Sequence, residues 1–124
     1  MHLVIGGAYQ GKLEYAKEKF NIKDEDVFTC TESGDLPQGS KCLYRLELFT
    51  LSCVRRGIDP CGAFSDIGAW SGCVIICEDI FCGVVPLDPL AREWREATGR
   101  LLNKLSPEAC SVTRIFCGIP QKLK

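Results

Sequence analysis

Apolar residues recur along this chain in two alternating patterns: short continuous runs, and stripes at helical spacing. Leu3-Val4-Ile5 is the first run, and it predicts a strand over residues 2–6 that is buried on both faces. In residues 12–20, Leu13, Ala16 and Phe20 fall on one side of a helix. Residues 26–30 read as a second, short strand. A loop over residues 33–40 follows, marked by Gly34, Pro37 and Gly39. Leu43, Leu46, Phe49, Thr50, Cys53 and Val54 keep helical spacing and predict a helix over residues 42–56, which Gly57 ends. Residues 58–71 fit either a short helix begun by Asp59-Pro60 or a loop, since Gly62 and Gly68 interrupt the pattern.

Val74-Ile75-Ile76 makes residues 72–77 a buried strand that runs into Glu78-Asp79. Residues 81–85, with Gly83, form a loop closed by Pro86. Residues 89–105 carry the best helical stripe in the chain, formed by Leu90, Trp94, Ala97, Leu101 and Leu105, with Asp88 as its cap. A last strand is predicted over residues 112–117, stopped by Gly118-Ile119-Pro120. Alternating strands and helices with apolar strands predict an α/β fold: one parallel sheet covered by helices on both faces. No repeat or linker divides it, so residues 1–124 are expected to form a single phosphate-loop, nucleotide-binding-like domain.

The chemistry enters where the first strand ends. Gly6-x-x-x-x-Gly11-Lys12 has the spacing of a phosphate-binding loop between a strand and a helix. Glycines let such a loop turn its N–H groups around phosphate oxygens, and the following helix adds its positive end. Gly6, Gly7, Ala8, Tyr9, Gln10, Gly11, Lys12 and Leu13 are therefore the expected nucleotide-binding residues, with Lys12 reaching the outer phosphates. The expected partners of that loop are GTP or ATP, with Mg²⁺ if the protein is catalytic. Leu13 stands where a hydroxyl residue normally ligates that Mg²⁺. The competing reading is a glycine-rich turn with a solvated lysine.

Glu78 and Asp79 stand at the carboxyl end of a predicted strand, the edge at which open α/β sheets bind ligands. Asp79 or Glu78 is the expected holder of Mg²⁺ or of a substrate hydroxyl, and the competing reading is an ordinary polar strand end. Arg92 and Arg95 lie off the apolar stripe of the last helix, where each is either a phosphate contact or a solvated side chain.

Composition narrows the classes. Hydrophobic residues make up 46% and charged residues 25% of the chain, and the net charge is −1. That balance is globular and carries no basic field for nucleic acid. No apolar run reaches membrane-spanning length. The first strand starts at residue 2, which leaves no room for a signal or transit peptide and predicts a cytoplasmic protein. Nine cysteines are then expected as reduced thiols. Cys73, Cys77 and Cys82 lack zinc-type spacing, and His2 is the single histidine, so no protein-only metal site is expected.

Four segments carry a family resemblance. Gly6-Gly7-Ala8-Tyr9-Gln10-Gly11-Lys12 resembles the phosphate loop of the adenosylcobinamide kinase/adenosylcobinamide-phosphate guanylyltransferases. Residues 78–86 resemble that family's Asp/Asn-Glu-Val-Gly-x-Gly-Ile-Val-Pro segment, with Asp79 at its glutamate and Phe81 at its first glycine. Residues 92–100 resemble its Arg-x-Phe/Tyr-Arg-x-x-x-Gly-Arg helix, and residues 116–124 its Gly-Ile-Pro-x-x-Leu-Lys ending. The resemblance covers about the first 20 and last 50 residues, in the family's order. It implies a phosphate-loop domain, often a trimer, that phosphorylates adenosylcobinamide and then adds GMP through a guanylylated histidine. Adenosylcobinamide, a nucleotide and a homo-oligomer partner are thus the implied partners. No histidine follows His2, so guanylyl transfer is not expected. The middle region is short, and the carboxylate-bearing strand that the family places there is not evident. The alternative is a module that binds GTP or ATP without transferring a group.

Overall fold

The computed structural model describes residues 1–124. Six strands form one sheet: β1 (His2–Gly6), β2 (Val27–Thr29), β3 (Cys42–Tyr44), β4 (Val74–Glu78), β5 (Ser111–Phe116) and β6 (Ile119–Lys122). Three helices cover it: α1 (Lys12–Phe20), α2 (Leu46–Arg55) and α3 (Pro89–Glu108). The strand order is β2-β3-β4-β1-β5-β6. All pairings from β2 to β5 are parallel, and β6 alone runs antiparallel, beside β5. The expected α/β class holds, but the sheet is mixed rather than wholly parallel.

The alternation of side chains along each strand explains the two helical layers. Leu3, Leu43, Ile75, Cys77 and Val112 face the larger core, which contains Leu46 and Phe49 of α2 and Leu101 and Leu105 of α3. Val4, Cys42, Val74, Ile76 and Ile115 face the other way, onto Ala16, Leu13 and Phe20 around α1. Each fully buried Leu or Ile contributes about 1.5–3 kcal/mol by leaving water. Phe64 and Trp70, buried side chains of two short 3₁₀ turns (Pro60–Phe64 and Ile67–Trp70), fill the remainder of the larger core with rings 4.9 Å apart. Of the two readings of residues 58–71, the short helix begun by Asp59-Pro60 holds, as a 3₁₀ helix, and a second follows it over Ile67–Trp70.

Two sequence expectations are corrected. Residues 42–44 are a strand, not the first turn of a helix: Leu43 pairs with Ile75 and Tyr44 with Ile76 in β4. The helix begins only at Leu46, after Arg45 takes a left-handed conformation with φ 64°. The pattern is ambiguous there because a three-residue strand is too short to show a period of two. The chain also continues as a strand after Gly118. Cys117 (φ 50°) and Gly118 (φ 75°) form a two-residue turn with both residues left-handed, which suits a tight hairpin. Pro120 follows in β6, and an edge strand tolerates proline because one side of its backbone is unpaired.

Candidate functional site

The carboxyl ends of β1, β3 and β4 open on one side of the sheet. There, the loop between Gly6 and Lys12 borders a cavity of about 440 Å³. Gly6 is required by close approach: a Cβ at this position would lie 2.5 Å from the Ile115 carbonyl oxygen of β5. Tyr9 (φ 57°) and Gly11 (φ 84°) take left-handed backbone angles that curl the segment between strand and helix. None of the turn and loop hydrogen bonds is donated by the N–H groups of residues 7–11. Together with the unpaired N–H groups that begin any helix, they form a cluster of free donors at the positive end of α1.

Lys12 is 8% exposed and folds back so that its Nζ donates to the Gly7 carbonyl oxygen at 2.5 Å. A buried ammonium holding its own loop is placed to exchange that carbonyl for an anion. Gln10 fixes the loop from the outer side. Its carbonyl oxygen accepts the Gly118 N–H at 3.1 Å, and its side-chain oxygen accepts the Cys117 N–H. The β5–β6 turn is thereby fastened to the glycine loop. Leu13 lines the cavity directly after Lys12 and offers no ligand atom.

The far wall comes from β3 and β4. Glu78 pairs with Gly6 in register and lines the cavity. Asp79 donates its N–H to the Gly6 carbonyl oxygen at 2.7 Å. Its carboxylate accepts the Phe81 N–H at 3.0 Å and contacts the Cys82 thiol at 3.4 Å. The structure therefore brings Glu78 to the cavity and sets the Asp79 side chain in the turn that follows. Arg95 serves that same turn: it donates to the Phe81 and Val84 carbonyl oxygens. Phe81 packs against the helix, where a Cβ on Gly99 would meet its ring at 3.5 Å. Arg92 is exposed on α3.

Sequence reasoning missed Tyr44, Arg45 and Glu47, which also line the cavity. Glu47 is 1% exposed. One carboxylate oxygen accepts Arg45 Nε at 3.0 Å, and the other accepts the Glu78 N–H at 3.0 Å. The Glu47 carbonyl oxygen accepts the Trp94 indole N–H at 2.7 Å. The same indole reaches Thr50, whose hydroxyl lies 2.6 Å from that of Thr98. A buried polar network thus joins the wall of the cavity to α3. A carboxylate just after a middle strand is therefore present here, although the sequence reading found none. Its only sequence signal is Cys42-Leu43-Tyr44 read as a strand, with a carboxylate three residues beyond.

The cysteines are not part of this site. Cys30, Cys42, Cys53, Cys73 and Cys77 are buried. Burial pushes the thiols of Cys30 and Cys42 up to about 12 and that of Cys73 up to about 11. Such thiols stay protonated and pack as small apolar groups.

The residues present fit a protein-held divalent cation poorly. Leu13 has no donor atom, both oxygens of Glu47 are engaged, and no three His, Cys, Asp or Glu side chains gather anywhere in the molecule. What the site offers an anion is two cations, Lys12 and Arg45, and a set of free N–H groups.

The fold and the cavity define an α/β protein whose glycine loop faces the Glu78 carboxylate at the end of β4 and the Glu47 carboxylate at the start of α2. Residues 66–123 match the model of the cobinamide kinase/cobinamide phosphate guanyltransferase family. The matched segment runs from the 3₁₀ turn Ile67–Trp70 through β4 and α3 to β6 and carries Glu78, Asp79 and Arg95; the glycine loop lies outside it. Comparison with curated proteins gives no match. No helix is long and apolar enough to cross a membrane.

Proposed function

We propose that the protein binds a nucleoside triphosphate in the glycine loop and transfers its terminal phosphoryl group to the hydroxyl of adenosylcobinamide. The family match supports the role in cobalamin assembly. The observation that carries the phosphate reading is the cluster of free N–H donors over residues 7–11 around the buried Lys12 ammonium. In this reading the hydroxyl oxygen attacks the γ-phosphorus. The bond to the bridging oxygen breaks, the nucleoside diphosphate leaves, and the proton passes to the Glu78 carboxylate. Lys12 and the loop N–H groups neutralise charge on the moving phosphoryl group. Asp79 and Arg95 shape the turn beside the acceptor rather than touching phosphate.

Guanylyl transfer through histidine is not part of the proposal. His2 is the single histidine, and its Nδ1 lies 2.8 Å from the Ser111 hydroxyl at the opposite end of β1 from the loop. A second reading, nucleotide binding without transfer, is favoured by Leu13 and by the engagement of both Glu47 oxygens.

The test pairs calorimetry with a transfer assay. The parent protein should bind GTP or ATP and label adenosylcobinamide from γ-labelled nucleotide. Lys12→Ala should weaken triphosphate binding more than diphosphate binding, because the lysine serves the outer phosphate. Binding without labelling would establish the second reading. Equal losses for both nucleotides, or no binding by the parent protein, would remove the phosphate site.

A further inference from the structure

The wall opposite the glycine loop carries a cation to which the proposed phosphoryl transfer assigns no role. Arg45 lines the same cavity as Lys12 and Leu13. Its backbone sits at φ 64°, ψ 52°, between the end of β3 and the start of α2. A non-glycine residue in this region costs on the order of 1 kcal/mol, and such strain concentrates at functional positions. Its guanidinium is fastened on one side only: Nε donates to Glu47 at 3.0 Å, and Glu47 is in turn held by the Glu78 N–H. Neither terminal nitrogen of Arg45 bonds any protein acceptor, and the side chain remains 43% exposed. One edge of a planar fork is thus anchored by a buried carboxylate, and the other edge is free for a phosphate.

Leu13 completes the argument. The loop position that would ordinarily supply a hydroxyl to a metal is apolar, while a fixed positive charge stands across the same cavity. The Glu14, Glu47 and Glu78 carboxylates line the same cavity, so entry of a polyphosphate requires cations that contact it directly. We propose that Arg45 takes the place of the divalent cation, so that this site binds the polyphosphate of a nucleotide without magnesium. Lys12 holds it from the loop side and Arg45 from the strand side. The proposal rests on the phosphate-binding reading of the loop and adds to it how the charge is met.

Calorimetry with a non-hydrolysable nucleoside triphosphate tests it, on the full-length protein, in EDTA and again in Mg²⁺. The parent protein should bind with affinities within about threefold of each other, since Lys12 and the free edge of Arg45 make charge-assisted hydrogen bonds to the phosphates in either buffer. Arg45→Asn is the informative variant, because asparagine tolerates the left-handed backbone. It should lose about ten- to a hundredfold in EDTA, the worth of charge-assisted hydrogen bonds, and recover part of that in Mg²⁺. Arg45→Lys, which keeps the charge and removes the fork, should lose less. An unchanged melting temperature with bound-state loss separates this from misfolding. Binding by the parent protein only in Mg²⁺, or unchanged binding of Arg45→Asn in EDTA, would overturn the proposal while leaving the phosphate site intact. No binding in either buffer would overturn both.

Discussion

Replacing Glu47 by alanine is the perturbation with the clearest structural ledger. Glu47 is 1% exposed and accepts two hydrogen bonds through its carboxylate. Truncation leaves the Glu78 N–H without an acceptor in a half-buried strand end, at about 1–3 kcal/mol. It removes one buried methylene, at about 0.8 kcal/mol, together with the carboxylate. The Arg45 pair adds less than about 1 kcal/mol, because 43% of that side chain is exposed and water can replace the partner. Against these losses, a buried carboxylate no longer has to be desolvated. The balance is a destabilisation of about 3 kcal/mol. A chain of 124 residues has an unfolding entropy near 0.26 kcal/mol/K, from about 2.1 cal/mol/K per residue, so the melting temperature should fall by about 10 °C. Glu47→Gln keeps an oxygen for the Glu78 N–H and should lose roughly half as much. Thermal unfolding followed by near-ultraviolet circular dichroism reads both. A fall of less than about 3 °C for Glu47→Ala would refute the reasoning, since it would mean that the Glu78 N–H finds another partner.

Four further outcomes are expected. Gly6→Ala should prevent stable folding or cost more than about 3 kcal/mol, since its Cβ would meet the Ile115 carbonyl at 2.5 Å; denaturant titration checks this. The exposed Cys82, Cys110 and Cys117 should react first with a thiol reagent, and the five buried cysteines only on unfolding, as mass spectrometry of timed samples would show. The buried thiols also set a pH dependence. Their folded values, about 12 for Cys30 and Cys42, lie above the ordinary 9.0, so the unfolded chain loses these protons first. Stability should be flat below pH 9 from this source and fall as pH rises from 9 towards 12, by about 1.4 kcal/mol per pH unit for each thiol. Urea midpoints that stay constant across that window would contradict it. Finally, Leu13→Thr places a metal-ligating hydroxyl beside Lys12 and should add a Mg²⁺-dependent increment to triphosphate affinity. Calorimetry with identical affinities in Mg²⁺ and EDTA for this variant would show that residue 13 does not face the outer phosphates.

The sequence by itself determined the elements whose patterns are long or chemically marked. The run Leu3-Val4-Ile5 into two spaced glycines and a lysine defines β1, the loop and α1, because only a strand buried on both faces and a permissive turn satisfy that pattern. The stripe of α3 extends over several turns, so its helical period is unmistakable, and Asp88 caps it through the Leu90 N–H at 3.1 Å. Tertiary structure decided residues 42–47 and 117–122. Leu43 and Leu46 satisfy a helical spacing and a strand-then-helix arrangement equally well, and pairing of Leu43 with Ile75 in β4 selects the strand. Only that pairing carries Arg45 and Glu47 to the cavity, since Arg45 directly follows a strand three residues long and Glu47 lies in the first turn of α2. Likewise Pro120 reads locally as a stop, and β6 exists because the Cys117-Gly118 turn folds it back onto β5. Local periodicity reports what a segment can bury. Which side chains share a cavity depends on strand order, and that is set by contacts between residues far apart in the chain.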